Sequence, residues 1–308
     1  MSSPLTSSAG WVWAALVAAM VLTSGRSVHA QALEPRSYAN TPVGINFLLL
    51  GYGHTEGDVG FDESTPVKDA RVRIDAGVLA YARSLDVWGL SGKVLAVLPF
   101  AEASGSATVK GQGRDRDVFG LGDPLLRVSV NFYGAPALSL NEFARYRQDL
   151  IIGASLQVTA PLGQYDSSKL LNVGTNRWSV KPELGLSHPA GRWFLEGYAG
   201  AWLFGDNADF FGGSRKEQQA LASLQAHVSY VFKPRLWLAG DATFYTGGRT
   251  TLDGVRKADL QRNTRLGLTL SVPVKRRGGL KVSWARGILT RVGGDFDTLA
   301  LGYQFLWF

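Results

Sequence analysis

The chain has no cysteine, so neither a disulfide framework nor thiol chemistry contributes to its fold or function. Beyond Ala32 it also lacks any apolar run of the roughly 18 residues that a transmembrane helix needs; the best, Ile45 to Leu50, is broken by Asn46. Only four histidines occur, widely scattered, and the acidic stretch from Asp58 to Asp69 lacks calcium-loop spacing. No metal or cofactor site is therefore expected. The formal charge of +7 is spread along the chain rather than clustered with aromatic stacking platforms, so a nucleic-acid partner is not expected.

What is present begins with an export signal. Trp11 to Leu22 has the length of a signal-peptide core, and small residues follow at Ser27 to Ala32, with the simplest cleavage after Ala30. The organisation expected is a signal peptide over residues 1–30, a short N-terminal segment over 31–42 and one folded unit over 43–308. An exported chain without a transmembrane helix is either soluble or a barrel. The final stretch, Thr298 to Phe308, favours the barrel. Leu299, Leu301, Tyr303, Phe305 and Trp307 share one face of an extended strand, and Ala300, Gly302 and Gln304 share the other. Such a strand resembles the C-terminal signal read by the bacterial barrel-assembly machinery.

Alternation bounded by turn signals marks twelve segments, beginning near Val43, Val72, Lys93, Leu125, Leu150, Trp178, Trp193, Ala220, Leu236, Asn263, Leu280 and Asp295. The first, third and eleventh alternate poorly. Connections after even-numbered segments are mostly short. Those after odd-numbered segments, near 53–71, 104–123, 161–177, 205–217, 246–261 and 291–294, are mostly long and polar. An even strand number with short turns at one end and long loops at the other is the pattern of an outer-membrane barrel. The fold expected is all-β: a single closed antiparallel transmembrane barrel of about twelve strands, with both termini periplasmic and outer-membrane lipid around it. The exception is residues 134–148, long on the short-turn side, read as a short helix that either caps the mouth or is a mere excursion. Trp88, Trp193, Trp237 and Trp307 toward the turns, with Trp178, Trp202 and Tyr245 toward the loops, are expected to form two interfacial girdles.

Parity assigns the lumen. It places Arg71, Arg73, Asp75 and Arg83 inward, then Arg127 and Asn131, Lys181 and Glu183, Glu196, His227, Asp241, Arg265 and Lys281. Of these, Arg73, Asp75, Arg127, Asn131, Lys181, Glu183, Glu196, His227, Asp241 and Arg265 are the candidate constriction. Opposite charges inside a barrel either narrow a channel or fill the lumen with salt bridges. Gly163 to Asp166 and Asn176 to Trp178 either fold over the pore or form a self-packed surface loop.

Three words, GLGDPLLRVSVNFYGAPAL at Gly120 to Leu138, PLGQYDSSKLLNVGTNRWSVKPELG at Pro161 to Gly185 and GAWLFGDN at Gly200 to Asn207, resemble the MetA-pathway phenol-degradation outer-membrane proteins. YTGGRTTLDG at Tyr245 to Gly254 and the last strand are weaker echoes. The resemblance implies an outer-membrane barrel with a transport role for organic compounds. The function expected is passive passage of a small organic solute, aromatic or otherwise hydrophobic, and no catalysis. The alternatives are a closed barrel serving as a surface module, and an enzyme resembling outer-membrane phospholipase through His227 and Ser229, two apart on one strand. A plug like that of long-chain fatty-acid channels is not expected, because only about ten residues separate Ala30 from the first strand.

Overall fold

Period-two alternation needs a wall with two different surroundings, and in a closed sheet every backbone group is paired while one parity meets lipid and the other the lumen. The computed structural model of the chain describes residues 34–60, 67–109 and 112–308; the expected signal peptide lies outside them. The chain forms β1 (Asn46–Gly60), β2 (Val67–Val87), β3 (Leu90–Val109), β4 (Gln112–Leu121), β5 (Leu125–Tyr133) and the short helix α1 (Leu140–Phe143). There follow β6 (Ile151–Thr159), β7 (Ser179–Ala190), β8 (Trp193–Phe204), β9 (Asn207–Phe210) and β10 (Ser214–Gln218). Then come β11 (Leu221–Lys233), β12 (Leu236–Gly247), β13 (Thr250–Leu252), β14 (Val255–Arg256), β15 (Gln261–Val274), β16 (Gly278–Leu289) and β17 (Gly293–Trp307).

The barrel closes where β1 pairs with β17 along its whole length, from Asn46 opposite Trp307 to Gly60 opposite Gly293. Around it run β1, β2, β3, then β4 above β5, β6, β7, β8, β11, β12, β15, β16 and β17, each antiparallel to its neighbours. β4 and β5 are one wall position interrupted at Gly122-Asp123-Pro124, which makes the wall twelve strands around, as alternation anticipates. No helix among the described residues is long and apolar enough to cross a membrane; the strands cross it.

The long connections carry structure of their own. Residues 104–123, expected as a loop, continue β3 and β4 as a hairpin arm above the wall. β9, β10, β13 and β14 form a separate four-stranded sheet at the same end. The opposite end is tight: Trp88 and Gly89 alone join β2 to β3, both with positive φ, and the Gly89 N–H donates to the Asp86 carboxylate at 2.7 Å. Twist-matched two-residue hairpins require this left-handed backbone.

Outward side chains form the expected apolar band. At the short-turn end Trp193 packs edge-on to Tyr230 with centroids 4.8 Å apart, and Trp307 packs against Phe305 and Tyr81. Three of the expected girdle residues are not there. Trp237, Trp202 and Tyr245 have the parity of the inward residues on β12 and β8. Tyr245 is buried, and Trp202 packs 4.1 Å over the Lys181 ammonium. Aromatic identity near a strand end does not fix parity; a ring suits a cation inside a lumen as well as a lipid interface.

Candidate functional site

Inside the short-turn half, residues Glu34 to Asn40 lie in the lumen as a plug, contrary to the expectation that no plug fits. Tyr38 is its centre and is 2 % exposed. Its ring rests where β6 and β7 each carry glycine, and a Cβ on Gly153 or Gly185 would collide with it. Tyr198 from β8 meets the same ring edge-on at 5.1 Å. Seven residues fit because two glycines clear the wall there; chain length alone is a poor guide to what a lumen accepts.

Polar contacts fix the plug's register. The Asn131 side-chain amide donates to the Tyr38 carbonyl at 3.0 Å, the Arg36 N–H donates to Glu196 at 2.8 Å, and the Lys93 ammonium donates to the Ser37 carbonyl at 3.3 Å. The Arg127 guanidinium bridges Glu34 of the plug and Glu183 of β7, the second bond at 2.9 Å. Glu183, 3 % exposed, also accepts from Lys181 at 2.6 Å and from the Tyr38 hydroxyl at 3.2 Å. A carboxylate so deeply buried is tolerable only when paired and hydrogen-bonded, as it is here.

The connection from 134 to 148 seats the plug from below. Pro136 accepts from the Asn40 side chain, and the Val43 N–H donates to the Leu138 carbonyl at 2.8 Å. Helix α1 within it is held by a Ser139–Glu142 capping box.

The sequence candidates thus divide. Arg127, Asn131, Lys181, Glu183 and Glu196 converge on the plug. His227 and Asp241 stand beside them, joined at 2.6 Å and reached through Tyr198, whose ring lies 4.9 Å from the imidazole. Arg265 faces the lumen elsewhere, donating to the Phe296 carbonyl and to Thr298. Arg73 and Asp75 are a correction. With Arg71 and Arg83 they share the outward parity of Leu79 and Tyr81; Arg73 is exposed, and Asp75 accepts from Tyr52 and pairs with His54 across the outer face. β1, β2, β3 and β17 run 15 to 21 residues against 9 to 12 for β5 to β8, so charges on the outer face of β1 and β2 toward the loop end are wetted without entering the lumen. Parity read from charge alone fails wherever a strand leaves the bilayer.

Four lumenal groups were missed: Glu34, Arg36, Tyr38 and Lys93. The first three lie before any strand pattern. Lys93 shares its face with Ser91, Leu95 and Val97 on β3, a lone charge at the edge of an apolar stretch. That is also the signal that could have found it. The poorly alternating segments β1, β3 and β16 are three of the strands that wall a cavity of about 310 Å³ beside the plug. Phe47, Leu49, Ala82 and Leu95 give this cavity an apolar side, and Lys93, Arg127 and Lys281 a cationic one.

His227 and Ser229 do face the lumen together, but neither the His227 Nε2 nor the Ser229 hydroxyl has a hydrogen-bond partner in the structure. His227 is 1 % and Ser229 0 % exposed. Base and nucleophile are not in contact, which nucleophilic catalysis requires. Asp241 instead also accepts from Thr269 at 2.7 Å, tying β11, β12 and β15 together.

At the loop end, the words that carry the family resemblance meet in one node. Asp123 at the β4–β5 break accepts from the Gly163 N–H at 2.9 Å and from the Thr175 N–H and hydroxyl at 2.8 and 2.6 Å. Asn207 binds Asn176, Tyr165 and the Thr175 carbonyl. The loop at 160–178 therefore folds inward. Leu121 accepts from the Gln164 N–H, the Leu171 carbonyl accepts from Arg116, and the Gln164 and Leu171 side chains cover Gly120 and Gly105. This also covers the edge of β4 that no strand pairs.

Among solved structures the chain is similar to the COG4313 outer membrane channel of Pseudomonas putida F1, with 24% identity, a TM-score of 0.78, and coverage of 90% of this chain and 100% of that one. It is similar at TM-score 0.50 to the β domain of the Bordetella autotransporter BrkA, at 12% identity over 86% of this chain and 100% of that one. It is equally similar to the transport unit of the autotransporter AIDA-I of Escherichia coli, at 8% identity, TM-score 0.50, over 95% and 97%. All three are likenesses of fold, to outer-membrane barrels rather than to enzymes. No curated protein matches the chain. The family model described as "Putative MetA-pathway of phenol degradation" matches residues 55–305, and the chain belongs to that family.

Proposed function

We propose that this protein is a passive outer-membrane channel for small organic compounds, with aromatic solutes as the class that suits its wall. The observation that carries the reading is the split lumen: the plug occupies the charged side along β5 to β8, and the cavity of about 310 Å³ is left against the apolar residues of β1 to β3. That volume is at the lower end of ligand-sized pockets, roughly 300–1,000 Å³. The family's description names phenol degradation, which agrees with an aromatic cargo, and the similar Pseudomonas putida barrel is an outer membrane channel.

In this reading the short-turn end, with the plug and β17's last residues, faces the periplasm, and the loop sheet faces outward. β17 is the strand offered to the barrel-assembly machinery. The polar ring around Glu183 fixes the plug rather than lining an open ion path. Uptake of radiolabelled aromatic solutes into proteoliposomes, above that of empty liposomes, is the expected result. Failure of every aromatic solute, neutral or anionic, to enter would instead favour a barrel closed by its plug, whose work is done by the outer loops.

A further inference from the structure

The cavity beside the plug is apolar on one side and cationic on the other, and its charges do not cancel. Arg127 is neutralised by Glu34 and Glu183, and Lys181 by Glu183. Glu196 is engaged by the Arg36 N–H, and Asp241 by His227 and Thr269. On the wall, Lys93 and Lys281 remain without an ion pair among the described residues, as does the Arg36 guanidinium of the plug. Both lysines line the cavity, from β3 and β16 on its two flanks. The Lys93 ammonium donates to one neutral carbonyl, that of Ser37. The Lys281 ammonium has a cation–π approach to the Trp237 ring at 5.7 Å and no ion pair among the described residues. Two buried cations without a carboxylate partner are costly unless an anion joins them. Among the described residues no carboxylate lies within ion-pair reach of either ammonium: Glu34 and Glu183 pair with Arg127 and Lys181, Asp241 pairs with His227, and Glu196 keeps one oxygen without a partner.

We infer that this cavity is a binding site for a small organic monoanion, its carboxylate or phenolate held between Lys93 and Lys281 and its ring or short chain laid on Phe47, Leu49 and Leu95. The inference deepens the channel reading by naming its cargo class, but binding is measurable whether or not the solute goes on to cross. Neutral aromatics satisfy the apolar wall and leave the lysines unpaired. Small inorganic anions satisfy the lysines and leave the wall wet. The site therefore favours a molecule that does both. Lys93 and Lys281 act as fixed donors, with no proton or bond transferred.

The test is equilibrium dialysis of the purified full-length barrel in detergent against radiolabelled benzoate, benzyl alcohol and acetate. Folding of each variant is checked by the mobility shift between unheated and heated samples on denaturing gels. Benzoate is expected to bind well ahead of benzyl alcohol and acetate. Lys93→Met and Lys281→Met should each weaken it about tenfold, the size of one charge-assisted contact, with benzyl alcohol unchanged. Lys281→Arg, which keeps the charge, should restore most of the affinity. Equal binding of benzoate and benzyl alcohol, or benzoate binding indifferent to both methionine variants, would overturn the inference. The same preparations in liposomes separate the two readings: benzoate that binds but never enters refutes the channel and leaves the site standing.

Discussion

Replacing Tyr38 with alanine should release the plug. The ring is almost wholly buried between Gly153, Gly185 and Tyr198. A tyrosine side chain covers about 150–250 Å² on burial, and at about 25 cal/mol per Å² this is a gross 4–6 kcal/mol. Large-to-small truncations of aromatic residues cost about 3–5 kcal/mol when measured. Taking about 3 kcal/mol as the loss, the equilibrium between seated and released plug moves by on the order of a hundredfold. Tyr38→Phe keeps the ring and removes only the hydroxyl's bonds to Ser155 and Glu183. It should move the same equilibrium only about fivefold, for a loss of about 1 kcal/mol. Gly185→Val reaches the same end from the wall, because its side chain would occupy the space of the Tyr38 ring. The readouts are tryptic cleavage after Arg36, which the seated plug protects, and single-channel conductance in planar bilayers. The alanine and valine variants should both be cut and should both conduct more than the native barrel, with phenylalanine close to native. Arg36 staying as protected in Tyr38→Ala as in the native chain would refute the anchoring argument. Cleavage without any rise in conductance would show that the plug is not what obstructs the lumen.

Glu183→Gln leaves Arg127 and Lys181 facing each other in the lumen with their shared carboxylate gone. A loss of about 3–5 kcal/mol is expected, read as a lower temperature for the gel-mobility transition of the folded barrel. Asp123→Ala removes the acceptor for Gly163 and Thr175 together, so the 160–178 loop should lose at least about 2 kcal/mol of local stability. Trypsin should then cut after Lys169 while the barrel's own transition stays unchanged. Lys216, in the loop sheet on β10, has its ammonium pushed down to about 8 by burial, with Arg177 nearby adding repulsion. Its folded value lies below its unfolded one, so between about pH 8 and 10.5 the released loop binds more protons than the packed one, and packing strengthens as pH rises through that window. Proteolytic nicking of β9 to β10 should fall from pH 7.5 to 9.5 in the native chain relative to Lys216→Met, and an equal pH response in the two would refute the assignment.

Strand positions were legible because lipid and lumen impose opposite chemistry on neighbouring residues. β6, β11, β12 and β15 carry that signal cleanly, and their inward residues Ser155, His227, Asp241 and Arg265 lie where parity puts them. The signal weakens where either surrounding changes. On β2 the upper outer face leaves lipid, so Arg71, Arg73 and Asp75 are polar without being lumenal. On β1 and β3 the lumen itself is apolar, so Phe47 and Leu49 alternate with lipid-facing Leu48 and Leu50 and the pattern looks poor. The plug was illegible for a different reason. Its hydrogen bonds to the wall reach residues 56 to 161 positions away, and nothing local in Glu34 to Asn40 marks it as buried.

The position of the charges explains why a barrel for organic solutes would carry so many. A bare apolar lumen would bind a seven-residue segment only weakly and in many registers, because apolar contact is non-directional. Arg127, Asn131 and Glu196 each contact a different plug residue, Glu34, Tyr38 and Arg36, so only one register satisfies all three. Glu183 ties the plug's central ring to the same wall. The polar wall thereby holds the plug to one side, and the opposite wall of β1 to β3 keeps its apolar surface uncovered. Among the described wall residues, Lys93 and Lys281 border that uncovered side without an ion pair. The division of labour within one ring of strands, one arc for the plug and the other for the solute, follows from which inward residues can pair among themselves and which cannot.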